Sequence, residues 1–302
     1  MKKDNHVAAH ADIEAYESSI CGAVSGLISR FFVSPLDVIK ISMQLRAASD
    51  HSRTLYSTVI EIFEKEGLTA FWKGNLSAEI LYSTYGLSQF YTYRLVNRTL
   101  KDFEIGSTSN FLAGSIAALS ATLITYPFDL LRTRFVAQST HNKAYHSLRH
   151  AVTSIYRQDG LQGFFKGASL SLITVSPYMG IFFWTYGMLY DIVNGTFLPP
   201  EATAGFFAGG FAKAAVYPLD TVRRFIQVQG ANQTNFSPHP KLHSYLETVR
   251  YILRENGVQG LYRGLPVSVI KAAPASALTM WSFELSLTTL RKITGKERAL
   301  GP

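Results

Sequence analysis

The chain has 302 residues, 47% of them hydrophobic and only 17% charged, with a formal net charge of +8 at pH 7. That balance leans toward a membrane, and the positive charge favours anionic partners. Its basic residues are spread through the chain with no basic arm or helix, which argues against nucleic acid, and the lone Cys21 excludes an intrachain disulfide or a cysteine-based zinc site.

A mean hydropathy of +0.08 is low for a bundle that is apolar all round. Helices with one polar face would reconcile the two. The first 19 residues carry Asp4, Asp12, Glu14 and Glu17, so they show neither the apolar core of a signal peptide nor the acid-poor character of a transit peptide. Delivery is expected to use internal signals.

In chain order, residues 13–44 read as a helix kinked at Pro35 and 45–55 as a loop. Residues 56–65 alternate apolar and charged positions, as a short amphipathic surface helix does. A second long helix is expected over 74–100 and a third over 111–128, eighteen residues free of charge and long enough to span a bilayer. A second surface helix is expected over 145–156, an uncharged, aromatic-rich span over 170–190 and a fifth long helix over 201–229. A polar loop follows at 230–241, then a third surface helix over 242–253 and a sixth span over 264–290.

The elements repeat because the sequence does. Pro35-Leu36-Asp37-Val38-Ile39-Lys40 returns 92 residues on as Pro127-Phe128-Asp129-Leu130-Leu131-Arg132, and after another 91 as Pro218-Leu219-Asp220-Thr221-Val222-Arg223. Upstream of each proline lie Gly22 and Gly26, Gly114 and Ala118, and Gly205 and Gly209, a spacing that lets helices approach closely in lipid. Downstream come Glu66-Gly67 with Trp72-Lys73-Gly74, Asp159-Gly160 with Phe165-Lys166-Gly167, and Asn256-Gly257 with Tyr262-Arg263-Gly264.

The order and spacing of these features resemble the mitochondrial carrier family over nearly the whole chain. The resemblance implies an all-α membrane protein: six transmembrane helices in three pseudosymmetric repeats (13–103, 107–197 and 201–293) around a central cavity, with three short matrix surface helices. It implies one transmembrane domain in the mitochondrial inner membrane, a monomer bound to membrane lipid, cardiolipin among the candidates. Six spans place both termini on one side. The three long loops, 45–73, 136–166 and 228–263, hold 12 Lys and Arg, which puts them on the matrix side and the termini toward the intermembrane space.

Ionisable groups inside a membrane need a reason. Arg30 and Lys213 each lie five residues before their repeat's proline, and Lys271 lies seven after Gly264. Three cations without an obvious local acid suit a polyanion such as phosphate or diphosphate. The bland alternative is snorkelling, or pairing with Glu79. Leu81-Tyr82, Gln89, Thr174-Val175, Lys271, Arg30 and Lys213 together are most similar to the family's thiamine pyrophosphate carriers, which implies those eight as substrate-binding residues. A nucleotide or coenzyme A is the alternative cargo. A soluble helical-repeat scaffold is the alternative of another class.

The repeated acid and base have two readings. Each pair could staple its own helix. The resemblance implies instead a matrix gate of pairs between repeats, Asp37 with Arg132, Asp129 with Arg223 and Asp220 with Lys40, braced by Gln44 and Gln227. Where the second repeat would have a third glutamine it has Val136. On the opposite face the registers read Tyr93-Arg94, Tyr186-Gly187 and Phe283-Glu284, where the family commonly has an aromatic and an acid. Only Glu284 fits, so a cytoplasmic gate of Tyr93, Tyr186, Phe283 and Glu284 is expected to close mainly by aromatic packing. The histidines show no metal-ligand spacing, and neither a nucleophile elbow nor a phosphate or dinucleotide loop appears. The expectation is no enzyme, no cofactor and no metal.

Overall fold

A computed structural model describes residues 15–45, 54–101, 108–140, 143–194, 199–229, 242 and 244–294. The expected loop at 230–241 and the N-terminal segment fall outside them, except that the first helix begins at Ala15. Among the described residues the structure is helical, without strands. The long helices are α1 (Ala15–Gln44), α3 (Asn75–Lys101), α4 (Thr108–Ala137), α6 (Ala168–Val193), α7 (Pro200–Val228) and α10 (Ala272–Thr294). Shorter ones are α2 (Leu55–Glu66), α5 (Leu148–Asp159), α8 (Tyr245–Leu261) and α9 (Leu265–Ile270), and 3-10 turns at Leu68–Trp72 and Leu161–Phe165 lead into α3 and α6.

Local chemistry sets the ends. Thr54 and Ser147 accept hydrogen bonds from the backbone N–H groups of Ser57 and His150, and Ser244 forms a reciprocal box with Glu247. Ser147 therefore starts α5 three residues later than the apolar pattern suggested, and Ser244 does the same for α8. Helical hydrogen bonding carries α8 on to Leu261, but Gly257, at φ 61°, is non-helical and divides it. The expected sixth span is likewise two pieces, broken at Lys271. Pro274 stands in the first turn of α10, where its missing N–H costs nothing, and cannot donate back to the carbonyl of Ile270. By contrast α1, α4 and α7 run on through Pro35, Pro127 and Pro218.

The chain divides into two compact units, 1–34 with 270–302, and 35–269. In the first, α1 and α10 meet through hydroxyls: Ser29 donates to the carbonyl of Ala275 (3.1 Å), Thr279 to Ser29 (2.8 Å) and Ser282 to the carbonyl of Ser25 (3.3 Å). In the second, α3 packs along α4 and α6 along α7. Its apolar core gathers all three repeats, with Val38, Ile41 and Leu45, Val136 and Leu170, and Val222, Phe225 and Val267 in one cluster. The surface helices each bury a pair four residues apart, Thr58 and Ile62, Ala151 and Ile155, Thr248 and Ile252, and on α8 Asn256 continues the row.

The expected close approach at the glycines is displaced by one residue. A methyl added at Gly22, Gly26 or Gly114 meets no atom within 4 Å. The buried small stripes are instead Cys21, Ser25 and Ser29 on α1, Ala113, Ala117 and Ala121 on α4, and Ala204, Ala208 and Ala212 on α7. All three stand at the same distances before their repeat's proline. Gly205 and Gly209 face rings, with Tyr186 and Phe182 each 3.9 Å from a built Cβ.

Three stretches, Ile20–Gln44, Leu112–Ala137 and Leu161–Val193, are long and apolar enough to cross a membrane by length and composition. The remaining long helices carry too many polar groups to reach that level. Their outer faces are nonetheless apolar: Leu87, Phe90, Phe207, Phe211, Met280 and Trp281 are all exposed. So much apolar surface calls for lipid as solvent.

The second unit also shows why the aromatic-base-glycine motif recurs. Gly74 and Gly264 have φ of +72° and +82°, and a Cβ there would sit 2.9 Å from the carbonyl oxygen of Arg132 and 3.1 Å from that of Lys40. Each glycine thus abuts the next repeat at its motif cation, the third returning to the first. Replacing Gly264 by alanine adds a left-handed backbone penalty and a clash with the Tyr217 hydroxyl, 2.9 Å away. We expect a loss of about 1–3 kcal/mol, seen as a lower Tm in detergent; an unchanged Tm would mean the contact is not close in solution.

Candidate functional site

The proline motifs of α1, α4 and α7 fall together in the second unit, and their charges meet across helices. Arg132 Nη2 lies 2.6 Å from Asp37 Oδ2, with both side chains nearly buried. Arg223 pairs with Asp129. These two contacts join repeat 1 to repeat 2 and repeat 2 to repeat 3, as the inter-repeat reading has it; neither cation serves only to staple its own helix.

At the third expected pair the acid is shared: Lys40 and Lys213 both act electrostatically on Asp220. Asp220 takes Lys213, seven residues earlier on α7, as its ion-pair partner. Lys40 lies over the ring of Tyr217, its Nζ 5.5 Å from the centroid. A lysine stem is long enough to reach two helical turns along one face, so an intrahelical cation can share a carboxylate assigned by register to a neighbour. Lys213 is therefore at once an expected substrate contact and the partner of an expected gate acid.

The glutamines are buried at the level of the pairs. Gln227 Nε2 donates to Asp129 Oδ2 (2.6 Å) and to the Tyr126 hydroxyl (3.1 Å), while its Oε1 accepts from Thr133 (2.9 Å). Gln44 Nε2 reaches the Thr221 hydroxyl on α7 at 3.4 Å. Val136, at the register without a glutamine, is buried in the apolar core.

Four further residues escaped the sequence reading. Tyr126 and Tyr217, each just before a motif proline, donate to the carbonyls of Lys166 and Arg263 (2.6 and 2.9 Å) and so tie α4 and α7 to the turns that start α6 and α9. Their recurrence at that register was the available signal. Arg134 is fully buried and donates to the carbonyls of Gln227 (2.9 Å) and Gln229 (3.0 Å) and to the Tyr145 hydroxyl (3.1 Å). It caps the C-terminus of α7, where carbonyls lack helical partners. Arg224 joins Arg223 on Asp129. Outside the spans, the motif pairs Lys73 with Glu66, and Lys73 also donates to the carbonyl of Gln138 (2.8 Å). Burial lowers the pKa of Lys73, against the pull of Glu66.

The expected substrate residues are divided between the units. Arg30 and Lys271 belong to the first, on α1 and at the break before α10, both half-buried. Leu81, Tyr82, Gln89, Thr174, Val175 and Lys213 belong to the second. Leu81 is buried, and the others are half-buried. The Tyr82 hydroxyl accepts from Arg132 Nη1 at 3.3 Å, so this residue touches one of the motif cations. Thr174 donates into its own helix, to the carbonyl of Leu170 (2.5 Å).

Of the residues expected at the opposite gate, Tyr186 is part of a ladder on α6. Tyr178, Phe182, Tyr186 and Tyr190 stack at successive centroid distances of 6.3, 6.0 and 5.9 Å. Tyr93 and Phe283 are half-buried and Glu284 is exposed.

Comparison with known proteins gives the following. The family model "Mitochondrial carrier protein" matches three consecutive stretches, residues 11–104, 103–197 and 194–294. The chain is 42% identical to the mitochondrial thiamine pyrophosphate carrier 1 of Yarrowia lipolytica, across 97% of this chain and 98% of the relative. It is 43% identical to the proteins of that name from Coccidioides immitis (93% and 94% covered) and Neosartorya fischeri (90% and 92% covered).

Proposed function

This chain belongs to the mitochondrial carrier family, and on that premise we propose that it imports thiamine pyrophosphate across the mitochondrial inner membrane, in exchange for another phosphorylated metabolite. The observation that carries the reading is the near-full-length identity to relatives named for that cargo. The chemistry agrees with it. Arg30, Lys213 and Lys271 supply positive charge for a diphosphate, and tyrosine rings suit an aromatic cation. Leu81, Tyr82, Gln89, Thr174 and Val175 complete the proposed contacts.

Transport then proceeds by alternating access, in which bound substrate shifts the balance between two closed-on-one-side states. The links Asp37 to Arg132 and Asp129 to Arg223, with Lys40 and Asp220 and the braces Gln44 and Gln227, form the matrix gate. Tyr93, Tyr186, Phe283 and Glu284 form the cytoplasmic one, in which packed rings do most of the closing. We place six spans in the membrane, both termini in the intermembrane space, and the protein as a monomer with lipid, cardiolipin among them, at its surface.

Liposomes containing the protein test the cargo. They should exchange thiamine pyrophosphate, with unphosphorylated thiamine a much poorer substrate, because the diphosphate is what the cations recognise. Uptake of ATP or coenzyme A, with thiamine pyrophosphate neither moving nor competing, would overturn the cargo and leave the carrier reading standing.

A further inference from the structure

The links of the gate are not equivalent, and one residue sets the α4–α7 link apart from the link of repeat 1 to repeat 2. The position after the motif cation is Ile41 in repeat 1 and Thr133 in repeat 2, but Arg224 in repeat 3. Ile41 is buried in the apolar core. Arg224 crosses from α7 to α4: its Nη1 lies 3.2 and 3.1 Å from the two carboxylate oxygens of Asp129 and 2.9 Å from Gln227 Oε1, and it bonds the Thr133 hydroxyl as well.

Asp129 consequently accepts from three donors, Arg223, Arg224 and Gln227. The acceptor capacity of one carboxylate is nearly filled, and the Nε of Arg223 is buried with no hydrogen-bond partner among the described residues. Thr133 and Gln227 are themselves fully buried, so the cluster is shielded from water. Charge-assisted bonds in such a setting are stronger than neutral ones and are screened little by salt. The link of repeat 1 to repeat 2 draws no second cation from this register, because the residue after Arg132 is the neutral Thr133. There Arg132 meets Asp37 and is also held by the Tyr82 hydroxyl.

We propose that Arg224 is a positioning residue of the transport cycle: by holding Asp129, Thr133 and Gln227 together it makes the α4–α7 link the strongest of the gate and the last to part. The inference rests on the gate reading above. Arg224 touches no substrate in this scheme; it sets the balance between the state closed at this face and the state open there.

A shift in that balance has a signature that loss of packing lacks. If one conformer becomes more populated, apparent affinity rises on the face where that conformer binds and falls on the other. In proteoliposomes of the full chain, Arg224→Leu should lower the KM for thiamine pyrophosphate on the face this link closes and raise it on the opposite face, changing their ratio by about threefold or more. Arg224→Lys keeps the charge on a shorter side chain that reaches α4 less well, so a smaller shift of the same sign is expected; it also carries the test should the leucine variant fail to fold. Asp129→Asn provides the separation between the two readings. If Asp129→Asn moves the ratio and neither Arg224 variant does, the inference about Arg224 is wrong and the gate stands. If Asp129→Asn leaves the ratio where it was, or all variants move both KM values together, the gate reading fails and this inference with it.

Discussion

Lys213→Ala, Lys271→Ala and Arg30→Ala are each expected to remove most thiamine pyrophosphate uptake in liposomes without loss of folded protein. A charge-assisted hydrogen bond is worth about 1.5–3 kcal/mol, so losing one in the substrate complex lowers uptake at limiting substrate by roughly ten- to hundredfold. Exchange of each residue for the other base should be milder, since charge is retained and only geometry changes. Lys213 needs a control the others do not. In this structure it neutralises Asp220, so its removal leaves a half-buried carboxylate without that partner. Combining Lys213→Ala with Asp220→Asn separates the roles: recovery in the double variant would assign Lys213 to the gate acid alone, while persistent loss assigns it to substrate. Uptake unchanged in all three single variants would remove the proposed site.

The second large effect is a charge reversal in the gate. Asp37→Lys places an ammonium against Arg132 where the structure has a 2.6 Å ion pair between nearly buried side chains. Leaving one member of a buried pair unpaired typically costs about 3–5 kcal/mol, and adding a like charge increases the cost, so transport should fall severely. Adding Arg132→Asp should recover part of it, because the pair is restored with its ends exchanged. Recovery will be incomplete, since an aspartate at 132 is shorter than the arginine it replaces and loses the reach that now also holds the Tyr82 hydroxyl. The non-additive part of the cycle isolates the pair. Rescue by Lys40→Asp and never by Arg132→Asp would return each charge to its own helix.

Much of this was legible in the residues. A proline, an acid and a base at fixed offsets, three times, located the helices that carry the motif charges, because those offsets reflect helical geometry local to each segment; the pairing between repeats was implied only by the family resemblance. The aromatic-base-glycine turns were legible for the same reason: a positive φ leaves few residue types besides glycine. The polar caps that delay α5 and α8 were also written in Ser147 and Ser244, but the apolar period on either side outweighed them in the reading.

Tertiary structure decided what local offsets cannot. The packing stripes lie on Cys21-Ser25-Ser29, Ala113-Ala117-Ala121 and Ala204-Ala208-Ala212 and not one residue on; the first two members of each row are small either way, so the glycine pairs alone give no preference, and the rotation of each helix against its neighbours chooses between them. Asp220 took Lys213 in addition to the influence of Lys40, because a flexible side chain finds its anion by distance in space and the repeat register says nothing about reach. Nothing in the local sequence marks Arg134 or Arg224. Each has partners on another helix, more than 90 positions away in the chain, and a sequence read segment by segment carries no information about which carbonyls and carboxylates that distant helix turns toward them.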